Sequence, residues 1–209
     1  MQDPERVREI HRRVCDAVKY PVTMKIRIGH GNGEENREKF WQICENAVED
    51  GTDGLVVHGR TVLEKYRGES NWDILAEVKK KFPDTPIVGS GDMFEAAEIV
   101  KKYKESGVDG VLIARGAIGN PWLFSELRAI FEGRDDYVPP TLAEQGEVML
   151  KHYELIAERL PGIKGIRYFR KFAVGYCKRH PDRKAAQMAL ITVRNRDQIY
   201  AAVKEWFGV

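Results

Sequence analysis

The sequence predicts an α/β fold of parallel βα units followed by an all-α unit, and three observations carry that prediction. Over the first 140 residues, four short apolar runs alternate with segments of helical period. A charged, proline-rich stretch, RDDYVPPT at 134–141, then breaks the pattern. Beyond it the strand signal stops and only helical spacing continues. The expected division is residues 1–135 and 141–209.

Taken in order, residues 4–18 set Val7, Ile10, Val14 and Val18 three or four apart, the spacing of one face of an amphipathic helix. Pro21 opens the run PVTMKIRIG and Gly29 closes it, which marks a strand. A second helix is expected over 35–50, with Phe40, Ile43, Cys44, Ala47 and Val48 turned inward. The alternation continues through DGLVVHGR (strand), NWDILAEVKKKF (helix), TPIVGSGD (strand), MFEAAEIVKKYKESG (helix), DGVLIARG (strand) and NPWLFSELRAIFEG (helix). Such strands imply parallel pairing through right-handed crossovers, each strand covered on both faces. After the linker, 141–160, 163–179, 182–192 and 195–207 read as helices, separated by LPG, RHPD and VRN.

At 209 residues, with 43% hydrophobic and 32% charged content, the chain can bury a substantial core and reads as an ordinary soluble protein. No apolar run approaches the roughly 20 residues that a membrane helix needs, and no secretory signal is visible. Cys15, Cys44 and Cys177 are too few and too scattered for a disulfide framework or a zinc cluster, so a reducing cytoplasm is expected. Cys15 and Cys44 fall on or beside the buried sides of helices and Cys177 on a basic helix, which suits packing better than nucleophilic chemistry.

Ligands of parallel α/β folds bind at the carboxyl ends of strands. Here those ends are Lys25-Ile-Arg27 with Gly29-His30-Gly31, His58-Gly-Arg60-Thr61, Gly89-Ser-Gly-Asp92 and Arg115-Gly116-Ala-Ile-Gly119. The last two suit a phosphate, because glycine lets the chain approach an anion and the following helix offers free N–H groups. Tight turns alone are the competing reading. Lys25 lies inside an apolar strand, where an ammonium needs either a structural partner or an electron-rich ligand. His58 can position a ligand or a proton, or serve only as a strand-end histidine, and Arg60 is a fork for phosphate or carboxylate.

Net charge divides unevenly: the chain carries +2 in all, but +6 from Thr141 onward and −4 before it. Between Lys164 and Arg196 ten Lys and Arg face one acid, Asp182, with Tyr168, Phe169, Phe172 and Tyr176 interleaved. Lys164, Arg167, Arg170, Lys171 and Lys178 therefore form a candidate contact surface for nucleic acid phosphates.

The ordered set KIR, HGRT, GSGD and ARGAIGNPWLF, followed by this basic tail, resembles the tRNA-dihydrouridine synthases over essentially the whole chain. The resemblance implies an FMN-dependent TIM-barrel enzyme with a C-terminal helical domain that grips tRNA, using NADPH as reductant. It places Lys25 and His58 at the flavin ring, and the backbone around Ser90, Gly91, Asp92, Ala114 and Arg115 at its phosphate. Arg60 faces the substrate side. Ser90 and Ala114 stand where the family usually has Asn and Gly.

A closed barrel needs eight strands, and the four expected here match the family's strands five to eight, without its proton-donating cysteine motif. The expectation is therefore the C-terminal half of the barrel, from a truncated or split enzyme, pairing with itself or with an N-terminal half. Two rivals remain: a non-catalytic tRNA-binding remnant, and a phosphate-binding βα-barrel enzyme acting on a sugar phosphate. His30 stays open between substrate contact and an exposed loop histidine.

Overall fold

A computed structural model describes residues 1–209 as two compact units, Met1–Arg115 and Gly116–Val209. The first alternates helix and strand: α1 (Pro4–Ala17), β1 (Thr23–Arg27), α2 (Glu34–Glu49), β2 (Gly54–His58), α3 (Asp73–Lys81), β3 (Ile87–Ser90), α4 (Ala96–Ser106) and β4 (Gly110–Leu112). The strands form one sheet in the order β1-β2-β3-β4, every pair parallel. Sequential order with parallel neighbours is the arrangement of βα units around a barrel, whereas a doubly wound sheet reverses its order at a switch point. The predicted TIM-barrel-like α/β class is present.

Period two divides the sheet into unlike faces. By register, Ile26, Leu55, Val57 and Ile87 share one face, where they are buried with Phe40, Ile43, Cys44 and Ala47 of α2 and Ile74, Leu75 and Val78 of α3. The other face carries Lys25, Arg27, Val56, His58, Val88, Ser90, Gly110 and Leu112. On it Lys25 is exposed, Ser90 is buried and the rest are half-buried. The expected cover on both faces is thus realised on one: the apolar residues of α2 and α3 all engage the aliphatic side, and the cationic side is left to other partners.

α1 starts at Asp3, whose carboxylate accepts from the Arg6 N–H at 3.0 Å, with Pro4 in the first turn. It is fastened to α2 by charge. Arg8 and Arg12 each fork Asp50 with bonds of 2.8 and 2.9 Å, and together they hold the Asp50 carboxyl far below the usual carboxylate range. Of the predicted apolar stripe, Val7 packs against the sheet core while the rest stays open, with Ile10 53% and Val14 43% exposed.

The second unit holds α5 (Leu123–Phe131), α6 (Leu142–Arg159), α7 (Ile163–Tyr176), α8 (Arg183–Thr192) and α9 (Arg196–Phe207). Thr141 and Glu144 cap α6 reciprocally, and Asn195 caps α9 by accepting from the Gln198 N–H at 2.9 Å. Met149, Tyr153, Phe169, Leu190, Ile199, Val203 and Phe207 fill the core between these helices. Gly175 lets α7 meet the Ile118 carbonyl, since any Cβ there falls 2.6 Å from that oxygen. No helix is long and apolar enough to cross a membrane.

Phe40 is fully buried, so Phe40→Ala should lower the unfolding free energy by about 3–5 kcal/mol. Ile10→Ser on the open stripe should change it by less than about 0.5 kcal/mol. Urea unfolding curves of the two variants check both, and equal losses would contradict the packing described.

Candidate functional site at the strand ends

Parallel register assembles the site before any side chain is considered. Arg27, His58 and Ser90 are successive Cα partners across β1, β2 and β3, and Leu112 of β4 pairs with Ser90. Lys25 lies two residues before Arg27, on the same face. Gly91 and Asp92 follow β3, and Ala114 and Arg115 follow β4, so all seven residues implied for the cofactor gather at one end of one sheet. Ala114 is exposed and Arg115 half-buried.

His58 is half-buried, and its Nε2 is enclosed without a hydrogen-bond partner. Burial first, then the charges of Arg27, Lys25 and Arg60, push its pKa down to about 4. The ring is therefore neutral at pH 7, with one nitrogen to donate and one to accept. Partial burial and Arg27 likewise lower the Lys25 ammonium from its ordinary value.

Arg60 is only 2% exposed. Its Nη1 and Nη2 donate to the two carboxylate oxygens of Asp92 at 2.8 and 2.7 Å, and Nη2 also donates to the Gly68 carbonyl at 2.5 Å. Its fork is thus filled by a protein carboxylate. Although burial alone would raise it, the Asp92 carboxyl is held below its usual value by Arg60 and by the Ser70 N–H, which donates at 2.8 Å. Asp92 adopts a left-handed backbone, φ 51°, and its carbonyl accepts from Lys102 Nζ at 2.9 Å.

Gly91 has φ +128°, and a Cβ there would fall 2.0 Å from Ser70 Oγ and 3.2 Å from the His58 ring. Only glycine fits this turn, and the Ser70 hydroxyl beside it is buried without a partner. Trp72 Nε1 donates to the Gly91 carbonyl at 3.0 Å, and the Gly59 N–H donates to Ser90 at 3.1 Å. A neutral imidazole and a hydroxyl lacking partners beside two cations fit an anionic ligand with a hydrogen-bonding ring.

Two participants carried no signal in the sequence. Tyr66 and Ser70 lie on the connection between β2 and α3, which has no periodicity to place them, while Trp72, expected at the start of the helix NWDILAEVKKKF, stands just before α3. Arg115 Cζ stacks 4.5 Å from the Tyr66 ring centre and 5.2 Å from that of Phe94, while its Nη2 donates to Asp92 at 3.3 Å.

Of the basic residues in the second unit, Lys164, Arg167 and Lys171 are exposed on α7, and Lys178 is exposed just after it. Arg170 turns aside to donate to the Val193 carbonyl. Lys171 Nζ lies 5.6 Å from the Tyr168 ring centre. Cys44 and Cys177 are buried, and desolvation pushes their thiols up to about 12 and about 11. Cys15 Sγ sits 3.6 Å from His11 Nε2.

The sequence model described as "Dihydrouridine synthase (Dus)" matches residues 1–205. A Mycobacterium leprae protein described as "Probable tRNA-dihydrouridine synthase" is 33% identical over 90% of this chain and 48% of its own length. The "tRNA-dihydrouridine synthase B" of Shewanella oneidensis is 34% identical over 99% of this chain and 63% of its own. A Synechocystis protein described as "Probable tRNA-dihydrouridine synthase 1" is 31% identical over 93% and 54%. The chain thus spans about half to two thirds of the length of these curated relatives.

NMR of the imidazole should show His58 protonating only near pH 4, and a midpoint near 6.5 would contradict its enclosure. Between about pH 6.5 and about 4 the unfolded chain binds a proton that the folded chain does not. The stability contributed by neutral His58 is therefore complete above that window and is lost as pH falls through it. Asp92→Ala leaves Arg60 buried without its carboxylate and should cost about 3 kcal/mol in urea unfolding.

Proposed function

The chain belongs to the dihydrouridine synthase family, and from that premise we propose that it forms the FMN-binding and tRNA-binding part of an enzyme reducing uridine in tRNA to 5,6-dihydrouridine. One observation carries the reading: a neutral His58 with a partnerless Nε2, set between Arg27 and Ser90 on the open face of the sheet. The ammonium of Lys25 and the Nε2 of His58 address the flavin ring. The backbone of Ser90, Gly91, Asp92, Ala114 and Arg115 would hold its phosphate at the ends of β3 and β4. When bound, FMN would supply the hydride chemistry for reduction of the C5–C6 bond of the base, with NADPH as the reductant.

The exposed cations of the second unit, Lys164, Arg167, Lys171 and Lys178, meet the tRNA phosphates, and the target uridine leaves its stack to reach the strand ends. Arg60 acts from beneath the site, holding Asp92. Such an enzyme works where tRNA is found, in the cytoplasm.

The protonating acid comes from elsewhere, because Cys44 and Cys177 are buried with raised thiols and Cys15 packs on His11. Completion of the barrel supplies it. The sheet ends at β1 and β4, one face is half open and most of the stripe of α1 is exposed; a second copy or a half-barrel partner brings further strands to those edges. The high thiols also favour a second reading, tRNA binding without reduction.

Light scattering of the purified chain should show self-association, or assembly once the other half-barrel is added; a monomer that ignores both overturns completion. With the barrel complete, NADPH-dependent dihydrouridine should form, and Lys25→Ala should weaken quenching of FMN fluorescence by about tenfold, the loss of one charge-assisted contact. Salt-sensitive tRNA binding without any dihydrouridine would decide for the second reading.

A further inference from the structure

We propose that Cys15 and His11 form a covalent modification site, at which a hydroperoxide or a soft carbon electrophile reacts with the Cys15 thiol while His11 takes its proton. The cysteines divide by access. Cys44 and Cys177 are buried, with desolvation raising their thiols, whereas Cys15 is half-buried in the last turn of α1. Because α1 leads into β1, that turn lies toward the amino ends of the strands, away from the site at their carboxyl ends. Neither flavin nor RNA takes part there.

A reactive thiol needs access and a base, and residues four apart on a helix bring the two together. Cys15 Sγ lies 3.6 Å from His11 Nε2, within hydrogen-bond reach for the larger sulfur atom. His11 is 4% exposed, the only polar side chain that α1 buries, and its Nδ1 has no partner. A buried polar atom left unpaired costs about 1–3 kcal/mol, which an apolar residue in this place would avoid. With Nδ1 unclaimed, no third group fixes the tautomer of the ring, and its Nε2 is directed at the thiol. The last turn of a helix disfavours an anion, and Arg12, one turn earlier, is engaged by Asp50. The thiolate therefore depends on His11 and not on the helix dipole.

As the proton passes from Sγ to Nε2, the sulfur attacks one oxygen of the hydroperoxide. An S–O bond forms, the O–O bond breaks, and the leaving oxygen takes the proton from Nε2. Sulfur gives two electrons to the peroxide, which leaves a sulfenic acid and, from hydrogen peroxide, water. A small thiol then displaces the sulfenic hydroxyl, closing a mixed disulfide and releasing a second water. A carbon electrophile such as iodoacetamide traps the same thiolate, forming an S–C bond and expelling iodide.

Timed labelling of the full chain with iodoacetamide at neutral pH, read by peptide mass mapping, gives a rate for each cysteine. Folded Cys15 should alkylate about tenfold faster than Cys15 of the chain unfolded in urea, a modest share of what a positioned base supplies, because only the folded helix brings His11 to it. A thiol that merely packs would react more slowly when folded. His11→Phe, which keeps a ring in the buried place, should remove that acceleration. Hydrogen peroxide followed by dimedone should tag Cys15 ahead of Cys44 and Cys177. If folded Cys15 reacts no faster than unfolded Cys15, the site is refuted whether or not the variant folds. A His11→Phe chain that keeps its circular dichroism and labels within twofold of the wild-type rate refutes the role of His11.

Discussion

Arg60 is buried with its guanidinium forked onto Asp92, and because a charge left alone there costs several kcal/mol, each residue fixes the other. The pair joins the loop after β2 to the loop after β3. Through Gly68 it ties down the far end of the first loop, and through Asp92 it reaches Ser70 and Arg115. Asp92 takes part in this pair from a left-handed backbone, φ 51°, directly after the glycine-only turn at Gly91. The surface offered to a ligand is thus supported by an ion pair that need not touch the ligand.

The charges around that pair also set the chemistry of the open face. Burial makes a positive charge on His58 unfavourable, and the charges of Arg27, Lys25 and Arg60 add to the penalty. The result is a neutral ring among cations. An anion can then be held by the cations while the imidazole keeps a nitrogen for hydrogen bonding. The same cations fit the packing of α2 and α3 on the opposite face: apart from Cys44 and Asn46 their buried residues are aliphatic or aromatic, and they meet apolar partners on the side of Leu55, Val57 and Ile87.

α1 shows the limit of periodicity as a guide to packing. Its apolar spacing is real, yet the helix is held by Arg8 and Arg12 on Asp50, and Ile10 and Val14 remain open. Spacing establishes that a helix has an apolar side. Whether that side is covered depends on a neighbouring element, which periodicity cannot supply.

The order of helices and strands, the parallel pairing and the inward residues of α2 were legible in the sequence, because burial repeats with the period of each element and leaves a local record. So was the grouping of Lys25, His58, Ser90, Gly91, Asp92, Ala114 and Arg115, since parallel strands bring their ends together whatever their exact register. What Arg60 holds, the partnerless state of His58, the turning aside of Arg170 and the place of Tyr66 over Arg115 were decided only by the tertiary structure. Each depends on contacts between residues distant in the chain, such as Arg60 with Asp92 or Tyr66 with Arg115, and no period or spacing encodes which of several possible partners a flexible side chain meets.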